Sequence, residues 1–177
     1  MPALTISKKI FITFFLIMIG VAFCVSCLKS YEITRFSPAQ TIRHYSGNEE
    51  RFNDATEYEY TGEGLQESFF DSMSYTEIIG TMHVHAFMIP LIIFVLSRIL
   101  SMTGTGEGIR ITVYVSAFIG TIMNLSGPYL IRYTSEIFTI SLISSYIILG
   151  SCFITFISLP LYNMWSRTAV EEADYWL

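Results

Sequence analysis

The sequence predicts an all-α integral membrane protein: four transmembrane helices in an antiparallel bundle, with an acidic extracytoplasmic segment between helices 1 and 2. Three observations predict it. Of the 177 residues, 52% are hydrophobic and 14% are charged, whereas a soluble domain carries roughly 25% charged residues. Four apolar runs are each about as long as the ~20 residues a helix needs to cross the hydrocarbon. The acids are also unevenly placed, with nine of the 15 between Glu32 and Asp71, in the one long stretch too polar to be embedded. A net charge of −5 concentrated there excludes the basic surface that a nucleic-acid partner would require.

Residues 1–28 are read as a short N-terminus and the first span. Lys8 and Lys9 precede an apolar run over 10–28, and its 19 residues exceed the roughly 7–15 of a signal-peptide core, so a retained anchor is expected. Cys24-Val25-Ser26-Cys27 only distantly resembles a lipoprotein cleavage site, because leucine would normally stand where Cys24 is. The third cysteine, Cys152, also falls in an apolar run, and none lies in the polar segment, so no disulfide framework is indicated.

Residues 29–74 form the polar segment. Ser37-Pro38 reads as the start of a short helix with serine as N-cap, running to about His44 or Tyr45 and closed at Gly47-Asn48. Residues 57–61 read as a short extended strip and 65–73 as an amphipathic stretch. The segment is too small to build a core of its own, so it should pack on the bundle or on a partner. Residues 75–100 form the second span, 101–108 a glycine-rich loop, 109–131 the third span, 137–162 the fourth, and 163–177 the tail. The short connections make neighbouring helices antiparallel. Lys8, Lys9, Arg98, Arg110 and Arg167 fall on one side, which puts both termini in the cytoplasm of a bacterial inner membrane and the acidic segment outside.

The second span carries the chemistry. His83 and His85 lie eight and ten positions past Tyr75, roughly 12–15 Å along a helix. Ionisable groups at such depth mark functional sites by default. The same outer half of the other spans holds Cys24, Ser26 and Cys27, then Asn124, Ser126 and Tyr129, then Ser141, Ser144, Ser145 and Tyr146. A polar layer shared by all four helices is therefore expected. Residues two apart point about 200° away from each other, so one imidazole should face the bundle and the other a partner. Ser116, Gly120 and Asn124, at steps of four, form a small-residue stripe for close helix approach, with Asn124 as an interhelical hydrogen-bonding group. Pro90 is expected to kink the second span, and Gly127-Pro128 to disturb the end of the third.

Four chemistries compete for the histidines. Haem b ligation by His83 or His85, with Arg132 or Arg43 pairing the propionates, is the sharpest. Both intramembrane histidines are on one helix, so a second axial ligand would have to come from elsewhere. A copper or zinc site from Cys24, Cys27 and a histidine suits thiolate and imidazole chemistry. A proton or quinone site would use His83, His85 and Glu77, the last linked to His85 through Thr81 or water. In the fourth reading the imidazoles only hydrogen-bond to neighbouring helices. No Ser-His-Asp order, phosphate loop or HExxH motif is present. The expected role is thus an accessory or membrane-anchor subunit of a larger assembly of membrane subunits, respiratory in kind, more an electron-transfer component than a stand-alone enzyme. The alternative is a cofactor-free interaction subunit or assembly factor.

Overall fold

Long runs of Ile, Leu, Phe and Val leave backbone hydrogen bonding within a single helix as the only way to cross hydrocarbon, and the structure follows that demand. The computed structural model describes residues 5–47 and 72–174. The expected strip over 57–61 and all but the last two residues of the amphipathic stretch 65–73 lie outside the described residues. The helices are α1 (Ile6–Thr34), α2 (Pro38–Ser46), α3 (Tyr75–Ser101), α4 (Glu107–Tyr133) and α5 (Phe138–Asp174), and no strand occurs among the described residues. All except α2 are long and apolar enough to cross a membrane. The chain is a multi-pass membrane protein, all-helical among the described residues.

α5 is the hub, touching each of the other helices, and α4 is its closest partner. About a third of the apolar window of α5 is buried, 33%, against 6% for α1 and for α3, so those two helices are peripheral. Glycine explains the close pair. Gly120 sits against Ile148 and Leu149 of α5, and Gly127 against Leu142, with no room for even a methyl group at Gly127. Asn124, between the two glycines, donates from Nδ2 to Ser145 Oγ at 3.3 Å. Small residues are what allow two backbones to approach this closely in a membrane. α4 runs unbroken through Gly127-Pro128 to Tyr133, which corrects the expected disturbance. The proline removes one ladder donor, but the seating of Gly127 on Leu142 holds the helix in line. Pro90 likewise lies inside a continuous α3.

The apolar core gathers at the end of the bundle that holds the N-terminal end of α1 and the α3–α4 turn. There Leu16, Leu96, Leu100, Val113, Ala117, Phe153 and Phe156 meet. The opposite end is closed by α2, which packs on α1, α4 and α5 but not on α3. The chain gets there by a sharp reversal after α1, where Arg35 and Phe36 both take left-handed φ values of 49° and 51°. For non-glycine residues that conformation costs on the order of 1 kcal/mol or more apiece, so surrounding contacts must hold it. Phe36 N–H donates to Thr34 Oγ1 at 3.3 Å. The Arg35 guanidinium lies 5.1 Å from the centre of the Tyr31 ring, and Phe36 packs between Tyr31 and Tyr146.

Candidate functional site

The antiparallel register fixes what stands level with the histidines. At one end Tyr75 of α3 meets Tyr133 of α4 ring to ring. Nearer the other, Tyr114 of α4 donates its hydroxyl to the Ser97 carbonyl of α3. Between these contacts His83 and His85 fall level with residues 123–128 of α4, the stretch that contains Asn124. Asn124 and its partner Ser145 therefore do share the depth of the imidazoles. The cysteines do not. Phe23 stacks on Phe153 with ring centres 4.8 Å apart, while Phe36, beyond the end of α1, is the residue that reaches Tyr146. Cys24 and Cys27 thus lie deeper than the histidines, Cys27 by about one helical turn, which corrects the layer expected across all four spans. The α1 and α3 backbones also nowhere approach within 8 Å of each other, Cα to Cα, and with the difference in depth this chain does not bring the cysteines and the imidazoles together. Among the described residues no group of three or more His, Cys, Asp or Glu side chains is placed to hold a metal ion.

α3 presents one face to the bundle through Ile78, Met82, Ile89, Ile93, Leu96 and Leu100, spaced by three, four and seven, as a helix seam requires. His85 falls on that face by position. His83 falls on the far side, with Phe87 and Phe94. Yet both histidines are exposed, so the expected inward-facing ring is not found. The reason lies in the packing: no backbone of α1 or α2 comes within 8 Å of α3, and the core where Leu16 of α1 meets Leu96 and Leu100 lies at the other end, so the described helices do not close over the seam at the level of His85. Beside His83, Gly80 is exposed, with no atom within 4 Å of where its Cβ would stand.

Glu77 has a different job from the relay expected of it. Its carboxylate accepts from the Ser74 N–H at 2.8 Å and from Ser74 Oγ at 2.8 Å, while its own N–H donates to Ser74 Oγ at 3.3 Å. This is a capping box that starts α3. The Ser-x-x-Glu spacing was visible in the sequence.

Arg132 is the polar centre of the α2 end. One terminal nitrogen donates to the Ser46 carbonyl at 3.0 Å and the other to Ser72 Oγ at 3.0 Å. It thereby ties the last turn of α2 and the approach to α3 onto the end of α4. Beside it, Tyr45 of α2 and Tyr146 of α5 share a hydrogen bond, and the His44 ring meets Tyr45 edge-on at 4.8 Å. Sequence reasoning missed this cluster because its members come from α2, α4 and α5, with no local spacing to betray them.

Burial holds the His44 imidazole below its ordinary value of 6.5. The folded state thus disfavours the proton that the unfolded chain takes up, so stability is full above about pH 6.5 and is lost as pH falls through the lower folded value. We expect α2 amides to exchange faster at pH 5 than at pH 7.5 after correction for intrinsic rates, and His44→Gln to remove the difference. An equal pH response in His44→Gln would assign the effect elsewhere.

Comparison with known proteins adds one relation. Residues 35–171 match the family model of a transmembrane helical domain, Aq_1264_TM, covering more than half of the chain. The chain belongs to the Aq_1264_TM family. No curated protein and no solved structure matches it. The Aq_1264_TM region begins at the left-handed turn and takes in α2, α3 and α4 whole and α5 as far as residue 171. It thus contains His83, His85, Arg132 and the Asn124–Ser145 pair, whereas α1 with Cys24 and Cys27 precedes it.

Proposed function

We propose that the chain is an accessory or membrane-anchor subunit of a larger membrane assembly, respiratory in kind, and that it meets the rest of that assembly along the α2-proximal half of α3. One observation carries this reading: two imidazoles inside a membrane span are exposed on different faces of their helix. Hydrocarbon offers no hydrogen-bond partner, and an unsatisfied polar group there costs several kcal/mol. A polar group of a neighbouring subunit, or a cofactor, covers them. In the electron-transfer form, a haem b iron or a quinone head group stands against His83 or His85 at the junction between subunits. The second subunit then supplies what one chain with both intramembrane histidines on a single helix lacks. The open space around Gly80, one turn from His83, favours this form. In the cofactor-free form the junction is the same, and the imidazoles hydrogen-bond to the partner's helices. The acidic segment then faces the outside of a bacterial inner membrane.

Purified in mild detergent, the chain is expected to travel in a particle whose protein mass, after subtraction of bound detergent, exceeds its own 20.2 kDa, and His83→Ala or His85→Ala to release it while helicity is kept. A Soret band lost with either substitution selects the haem form, extractable quinone lost with either substitution selects the quinone form, and a colourless intact assembly that releases no quinone selects the cofactor-free one. A chain that stays monomeric in the gentlest detergent, with both variants behaving alike, sinks the subunit reading.

A further inference from the structure

The side of α3 turned away from the bundle carries a pattern of its own. Thr76, Gly80, His83, Phe87 and Phe94 recur at steps of four, three, four and seven, which gathers them on one stripe opposite the bundle face of Ile78, Met82, Ile89 and Leu96. All five are exposed, Phe87 at 69% and Phe94 at 62%, so the chain's own helices leave the whole stripe uncovered. The stripe is also graded in size. Thr76 and Gly80, one turn apart, are the small-xxx-small pair that lets two helices approach closely in a membrane, and a Cβ at Gly80 would meet nothing within 4 Å. His83 follows one turn deeper, and the two phenyl rings lie below it.

We infer that a second copy of this chain covers the stripe, α3 against α3 about a twofold axis along the membrane normal, with the two His83 imidazoles hydrogen-bonded to each other. This rests on the reading of α3 as a junction between subunits, and names the partner on its His83 side. The sequence that orients one copy in the membrane orients every copy alike. Two copies therefore meet with α3 parallel, and each residue of the stripe stands level with its own counterpart, as a twofold interface requires. A neutral imidazole has one donor and one acceptor nitrogen, so the ring is its own complement. An unrelated subunit would have to carry a polar group at this depth, whereas a second copy brings one by symmetry. Close approach at Gly80 then puts the two rings beside the point where the helices are nearest. His85, on the other side of α3, remains for whatever else the junction holds.

Two differently tagged copies of the full chain, co-expressed and extracted in mild detergent, are expected to co-purify. Cysteine cross-linking in native membranes locates the contact, in a Cys24→Ser, Cys27→Ser background that leaves only the buried Cys152. On oxidation Thr76→Cys should yield a disulfide-linked dimer of the chain. Thr81→Cys, also exposed but about 140° around the helix from Thr76, should not. The dimerisation constant, read by energy transfer between labelled copies on dilution in lipid, should fall about tenfold in His83→Ala, the weight of an interhelical hydrogen bond in model transmembrane helices. His83→Gln, which keeps a donor and an acceptor, should retain most of it, and Met88→Ala, exposed off the stripe, should leave it unchanged. Equal cross-linking at positions 76 and 81 overturns the inference, as does an effect of His83→Ala no larger than that of Met88→Ala. A particle of larger protein mass in which the two tags never meet overturns the second copy and leaves the subunit reading standing, whereas a monomer removes both.

Discussion

Replacing Gly127 with alanine is expected to destabilise the α4–α5 pair by about 1–3 kcal/mol, the range for forcing a methyl group into a filled interior. A Cβ at position 127 would stand 2.8 Å from Leu142 Cδ1 and 3.0 Å from Leu142 Cβ. The first contact is with the end of a side chain, which can swing away. The second is not, because the Leu142 Cβ moves only with its backbone. Leu142 is itself 1% exposed, so the helices must separate or slide. At Gly120 the nearest atoms are side-chain carbons of Ile148 and Leu149 at 3.0–3.2 Å, so Gly120→Ala should cost less. Cys152 offers the readout: it is buried against α4, with its Sγ 3.7 Å from the Val113 carbonyl. In a Cys24→Ser, Cys27→Ser background, alkylation of Cys152 on heating should begin several degrees lower in Gly127→Ala. Adding Leu142→Ala should restore part of the loss, a coupling expected only of residues in contact. Identical melting in Gly127→Ala, or strictly additive losses in the double variant, would show that the close approach does not hold the pair together.

How much of this was legible beforehand depended on whether the information was local. Spans and short connections follow from hydropathy and length, which each residue carries by itself. The stripe of Ser116, Gly120 and Asn124 was readable because a helix repeats in a way the sequence preserves, and Gly120 and Asn124 do meet α5. The depth of Cys24 and Cys27 was not readable, since it depends on how far α1 slides along α5, and that is set by Phe23 on Phe153 and by the strained turn at Arg35 and Phe36. The exposure of His85 was hidden for a similar reason. Periodicity gives the face of a helix but not whether a neighbour reaches it, and the position of α2 against α4 and α5 rather than α3 decides that. Glu77 is different. Its partner Ser74 is three residues away, and weighting intramembrane acids as proton carriers obscured a local cap.

Arg132→Ala is expected to release α2 and to speed tryptic cleavage after Arg43 by at least about tenfold. The guanidinium makes two hydrogen bonds at 3.0 Å to groups remote in sequence, the Ser46 carbonyl and Ser72 Oγ. A hydrogen bond to a charged group contributes roughly 1.5–3 kcal/mol, and about 1.4 kcal/mol is enough for a tenfold change in the open population. Ser46 ends α2, so its carbonyl belongs to the negative end of that helix, where a cation is favoured. Truncation removes the charge and strands that carbonyl. Arg132→Lys should recover only part of the protection, because one ammonium lacks the rigid fork that reaches two acceptors at once. Ser72→Ala should give a smaller loss than Arg132→Ala, and combining the two should add little, since the Ser72 bond exists only through Arg132. That non-additivity separates a clamp from a general effect of charge. If Ser72→Ala and Arg132→Ala add fully, or if Lys protects as well as Arg, position 132 acts through its charge alone, and α2 is held in place chiefly by Tyr45 and Tyr146.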